Sequence, residues 1–155
     1  MSDIGDLGAY GELKFRSWCR SMGLVVNPSS EQDDTGWDCK VEFKSLLKDS
    51  NSNPLEPEHS LSHPVFDIQV KTSQNDNNKW SIKIEHLIRF IHSPNPAFLC
   101  IINADLKNDK VNYINLIHID NSHIENILKK QRKIMANGSK IKGHTVSING
   151  MSPIN

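Results

Sequence analysis

Residues 97–104, Ala-Phe-Leu-Cys-Ile-Ile-Asn-Ala, form a run with a single polar member, bounded by Pro94 and Pro96 before it and by Asp105 after it. A near-continuous apolar segment of this length is the pattern of a strand buried on both faces, so the chain must supply covering layers above and below a sheet. Its 155 residues, 37% of them hydrophobic, suffice for one such domain without disulfides or a structural metal. The longest apolar stretch, residues 96–102, falls far short of the roughly 18 residues that a transmembrane helix requires, so no membrane association is expected.

The neighbouring segments supply the layers. Residues 80–91 carry Ile84, Leu87, Ile88 and Ile91 at i, i+3, i+4 and i+7, which predicts an amphipathic helix leading into the buried strand. Residues 7–22 read as a first helix, with Phe15, Cys19 and Met22 as its core-facing stripe and Gly23 as its stop. Between these helices come a short strand at 24–26, a longer one at 37–46 in which Val41 and Phe43 alternate with Glu42 and Lys44, and a third at 66–72. Residues 111–119 alternate as a further strand. Ser122-His123-Ile124-Glu125 has the form of a capping box, opening a helix with Ile124, Ile127, Leu128 and Met135 on its apolar side that Asn137-Gly138 ends. Residues 144–148 read as a last strand, and residues 48–64, crowded with Ser, Asn, Asp and Pro, as an exposed loop inside the domain. The order predicts a single mixed α/β domain over residues 1–155.

Eighteen basic and eighteen acidic side chains cancel, which weighs against holding nucleic acid by bulk charge alone. Their distribution is uneven: residues 1–128 carry 12 basic and 18 acidic groups, residues 129–155 carry 6 basic and none acidic. Lys129, Lys130, Arg132, Lys133, Lys140 and Lys142 therefore form a basic tract, either the solvated side of a helix or a surface for a phosphate backbone. Cys19, Cys39 and Cys100 are odd in number and widely spaced, which fits reduced thiols in a cytoplasmic protein, and the acidic opening Met-Ser-Asp-Ile-Gly-Asp does not resemble a secretory signal. The seven histidines lack a ligand spacing; His86, on the helix after the third strand, reads as solvent-facing.

Phe66-Asp-Ile-Gln-Val-Lys-Thr72 holds the most chemistry. Alternation puts Asp67, Gln69 and Lys71 on one face of this strand and Ile68 and Val70 on the other. A polar row suits an edge strand in water, but the helix-strand unit that follows makes this strand central, so the three polar groups need partners or a role. Asp38 stands at the start of the strand expected to pair beside them, with Trp37 as apolar bulk; Asp33 and Asp34 before it read as a solvated acidic turn. Glu12 lies one turn before Phe15 on the first helix, where Gly8 and Gly11 leave the backbone bare enough for a close approach.

Gly-x-x-Gly-Glu12, Gly-Trp-Asp38 and Gln69-Val-Lys71, in the order αβββαβ, resemble the PD-(D/E)XK restriction-endonuclease-like superfamily. They are most similar to its Mrr-like branch, in which glutamine replaces the acidic residue of the last motif. The resemblance covers about residues 5–104, leaving 105–155 as a basic C-terminal extension with an extra strand and helix. The Phe-Asp-Ile-Gln-Val-Lys-Thr-Ser segment also looks like nuclease modules of bacterial antiphage effectors. What the resemblance implies is a Mg²⁺-dependent (or Mn²⁺-dependent) endonuclease for double-stranded DNA; cleavage of a duplex calls for two active sites, so a homodimer is expected. It further implies a restriction or defence role, with a sensor domain as a fused or activating partner. Glu12, Asp38 and Gln69 would hold the metal and Lys71 would assist hydrolysis, since a hard cation wants a few oxygen ligands and keeps several waters. The alternative of a different class is a non-catalytic nucleic-acid or protein-binding module on the same scaffold.

Overall fold

The computed structural model describes residues 7–29, 37–43, 64–75 and 79–149. Within them the chain runs α1 (Leu7–Ser21), β1 (Val25–Pro28), β2 (Cys39–Glu42), β3 (Val65–Ser73), β4 (Lys79–Lys83), α2 (Ile84–His92), β5 (Ala97–Asp105), β6 (Lys110–His118), α3 (Asn121–Ala136) and β7 (Thr145–Asn149). Five strands form one sheet in the order β1-β2-β3-β5-β6; β3 and β5 are parallel and the other neighbours antiparallel, while β4 and β7 pair as a separate ribbon. The expected mixed α/β architecture is present, with β3 and β5 at its centre. The 48–63 loop and the Asp33-Asp34 turn lie outside the described residues.

The sheet is covered on both sides, as the 97–104 run requires. Against one face, α1 packs Cys19 over Val41, Ile68, Val70, Cys100 and Ile102. Against the other, α2, α3 and the inner side of the β4–β7 ribbon enclose Leu99, Ile101 and Ile117 with Ile84, Leu87, Ile127, Val146 and Ile148. All three cysteines are free and buried; burial pushes the Cys100 thiol up to about 12, as expected of inert core thiols.

α1 lies tight on β3 because Gly11 has no side chain: a Cβ there would fall 1.8 Å from Thr72 Oγ1. The bare helix face that the sequence offers is thus taken up by the β3 strand. Gly23, at φ +78°, ends the helix in the left-handed conformation that glycine tolerates.

Four local expectations are corrected. The helix expected over 80–91 begins only at Ile84; residues 79–83 are β4, because Trp80 and Ile82 alternate inward and pair with Ile148 and Val146 of β7. Met22 is 67% exposed rather than core-facing, since α1 stops at Ser21 and the chain turns away. Met135 is likewise exposed, its place on the inner side of α3 taken by Ile134. The cap of α3 is Asp120, whose carboxylate accepts from the Ser122 and His123 N–H groups, in place of the box at Ser122.

Candidate active site

The pairing of β2 with β3 ends at Cys39 opposite Ile68. One residue further back the strands part: Asp38 N–H still donates to the Ile68 carbonyl at 2.8 Å, and the Asp38 side chain occupies the opening. Its Oδ2 accepts from Val70 N–H at 2.6 Å, a backbone donor that a continuing strand would otherwise have satisfied. Continuation of the antiparallel register sets Asp38 opposite Gln69, on the face that carries α2. Burial raises the Asp38 carboxyl above its ordinary range, opposed by the Val70 N–H and by the charge of Lys71. Trp37 packs against the α2-side core, with the Lys40 ammonium 4.9 Å from its ring centre.

Gln69 is 2% exposed on this central strand. Its Nε2 meets His86 Nδ1 of α2 at 3.2 Å, and its Oε1 is buried with no hydrogen-bond partner among the described residues. Burial lowers the His86 imidazole, helped by the positive charges of Lys71 and Lys83, which favours the neutral ring, and a neutral ring whose Nδ1 carries no proton can accept from the amide N–H. With Nδ1 as the ring's acceptor, the Gln69 amide N–H donates to it and Oε1 is left without a hydrogen-bond partner among the described residues, a state that costs about 1–3 kcal/mol in a protein interior unless a ligand meets it. Lys71 follows two residues along the same face, half-buried.

The expected residues fall into two groups. Asp38, Gln69 and Lys71 come together at the β2–β3 opening. Glu12 lies on α1, over the other face of the sheet, where its charge bears on Cys39, the residue next to Asp38. His86, expected to face solvent, is half-buried against Gln69 instead; the signal for it was its place two residues after Ile84, on the flank of the apolar stripe nearest the polar row. Lys129, Lys130, Arg132 and Lys133 are exposed on α3, and Lys140 and Lys142 on the turn before β7. Lys129 pairs with Glu125 at 2.7 Å and Lys130 donates to the Thr145 carbonyl.

Asp67, third of the polar row, is fully buried and takes a structural part. It accepts from Ser93 Oγ and from Asn95 Nδ2, pinning the turn between α2 and β5 to the start of β3, with Lys40 Nζ at 3.9 Å. Asp67→Ala strands two donors and is expected to cost about 2–3 kcal/mol, read as a lower urea midpoint; an unchanged midpoint would show that the turn is held by other contacts.

The donor set at the opening fits a hard divalent cation in kind: a carboxylate and a buried amide oxygen without a hydrogen-bond partner among the described residues, oxygen donors of the sort such an ion takes alongside waters. It is poor in charge, for among the described residues no three His, Cys, Asp or Glu side chains gather. No protein-family model matches the chain, and no curated protein matches it significantly. Among the described residues no helix is long and apolar enough to cross a membrane.

Proposed function

We propose that this protein is a Mg²⁺-dependent endonuclease that hydrolyses DNA phosphodiesters at the β2–β3 opening, in the manner of the Mrr-like PD-(D/E)XK enzymes its motifs resemble. The observation that carries the reading is the buried Oε1 of Gln69, without a hydrogen-bond partner among the described residues, on the strand face shared with the Lys71 ammonium and next to the Asp38 carboxylate. Asp38 and Gln69 Oε1 would hold the cation; Glu12, expected as a third ligand, lies over the opposite face of the sheet and is left out of the set. When bound, Mg²⁺ lowers the pKa of a ligated water and screens charge on the phosphate. Lys71 places a fixed positive charge where the phosphate oxygens gain negative charge, and its N–H groups orient the attacking water. His86, accepting the amide N–H, would orient Gln69 with its oxygen available to the metal. Mn²⁺ is a suitable substitute, being served by the same oxygen donors. Cytoplasmic action in antiphage defence or restriction, as a homodimer or under a sensor domain, completes the proposal.

The test is supercoiled plasmid with purified protein, with and without Mg²⁺. Metal-dependent nicking is expected; duplex binding with no cleavage in either Mg²⁺ or Mn²⁺ would replace the enzyme with a binding module on this scaffold.

His86→Ala frees the Gln69 amide to turn, and metal affinity is expected to fall about tenfold, the scale seen when a residue orienting a metal ligand is removed. A Mn²⁺ titration followed by electron paramagnetic resonance of the free ion reads this without any turnover. Equal affinity in the variant would mean that His86 does not set the amide.

A further inference from the structure

We infer that the outward face of the β4–β7 ribbon grips the phosphodiester backbone of duplex DNA beside the β2–β3 site, an inference that rests on the nuclease reading for its partner. Alternation along both strands sorts the side chains. Trp80, Ile82, Val146 and Ile148 turn into the core, while Lys79, Ser81 and Lys83 of β4 and Thr145, Ser147 and Asn149 of β7 are exposed. The register sets these six opposite one another as Lys79–Asn149, Ser81–Ser147 and Lys83–Thr145. Every member can donate a hydrogen bond, two are cationic, and none is a carboxylate or a large apolar group. Both charges on the face are positive, in a chain with as many acidic as basic side chains. Lys, Ser, Thr and Asn are the side chains that contact phosphates without reading sequence.

The ribbon also points at the chemistry. Lys83 runs directly into α2, and its charge is felt by His86, the residue bonded to Gln69. The Ile84 N–H donates to the His144 carbonyl at 2.9 Å, tying the first turn of α2 to the start of β7. Lys140 and Lys142 stand on the turn that leads to this same end, and Lys130 reaches it from α3 through the Thr145 carbonyl. Part of the basic tract is therefore a rim for the ribbon, whereas Lys129 is engaged by Glu125. From Lys79 to Lys83 the face is about 13 Å long at 3.3 Å per residue, close to four base pairs of rise. Its buried side braces it, so the two lysines are presented at a fixed spacing.

Binding of a fluorescein-labelled duplex of about 20 base pairs, followed by anisotropy in EDTA across a salt series, tests the ribbon without cleavage. K79Q/K83Q is expected to bind on the order of tenfold more weakly near 0.1 M salt. Its log-log salt slope should be shallower by about 1.8, at 0.9 per lost phosphate contact. S147E, which sets a carboxylate in the middle of the face, should weaken binding as well, and circular dichroism melts report whether either variant is folded. Wild-type affinity and slope in both folded variants would overturn the inference, as would loss confined to K129Q/K133Q on α3. Because no turnover is read, a protein that binds through the ribbon yet never nicks plasmid refutes only the nuclease reading. A nuclease indifferent to these substitutions refutes only the ribbon.

Discussion

Lys71→Ala is expected to lower Mg²⁺-dependent plasmid nicking by about 10²–10³-fold, the range seen when one group that stabilises developing charge is removed. The side chain is half-buried at the β2–β3 opening, and equal melting curves check that the fold survives its removal. Asp38→Ala should abolish nicking as fully, but it also strips the Val70 N–H of its acceptor, at about 1 kcal/mol. Asp38→Asn separates the two effects, since it keeps an oxygen for that N–H while losing the charge a cation needs. A folded D38N protein without activity would locate the loss in metal binding, and retained cleavage in both K71A and D38N would sink the assignment of this site.

Gly11→Ala is expected to destabilise the protein by about 1–3 kcal/mol, the usual range for overpacking a filled interior. The sign is the informative part. Alanine is a better helix former than glycine by about 1 kcal/mol, so in an open helix this substitution would stabilise. Here the new methyl meets Thr72 Oγ1 at 1.8 Å, with Thr72 Cβ at 3.0 Å and Cγ2 at 3.2 Å, and rotating the threonine only exchanges one branch for the other. Either α1 or β3 must shift. Thr72→Ala removes the nearest atom, one that has no hydrogen-bond partner among the described residues, and should be nearly neutral alone. In that background Gly11→Ala should cost at least about 1 kcal/mol less, a coupling that urea unfolding of the double-mutant cycle resolves. Strict additivity would show that the two residues do not touch.

Both predictions rest on β3, and β3 is where local pattern and structure agree most closely. Its alternation put Ile68 and Val70 on one side and Asp67, Gln69 and Lys71 on the other, and the two hydrophobic clusters follow that division. The 97–104 run required two layers, and α1 and α2 with α3 are those layers. Such features are legible because a strand's period and a buried run depend on neighbours in sequence. The 79–83 segment was not: the helix read from the stripe of Ile84, Leu87, Ile88 and Ile91 extends back to Trp80, and only β7, more than 60 residues later, decides for a strand. The ribbon face with its lysines was hidden for the same reason.

The site divides along that line too. Residue types and spacing alone determined that Asp38, Gln69 and Lys71 belong to neighbouring strands of a covered sheet, because each sits in a segment whose own period sets its face. The tertiary structure decided which of the polar row is structural and which is free. Asp67 is consumed by Ser93 and Asn95 from the turn after α2, while Gln69 meets His86 through its amide nitrogen and keeps an oxygen without a partner among the described residues. Those partners lie 17 to 28 positions away along the chain. No periodicity within one element records which side chain will meet another across a fold, so the distinction between a buried carboxylate that holds a turn and a buried amide that awaits a ligand exists only once the chain has closed.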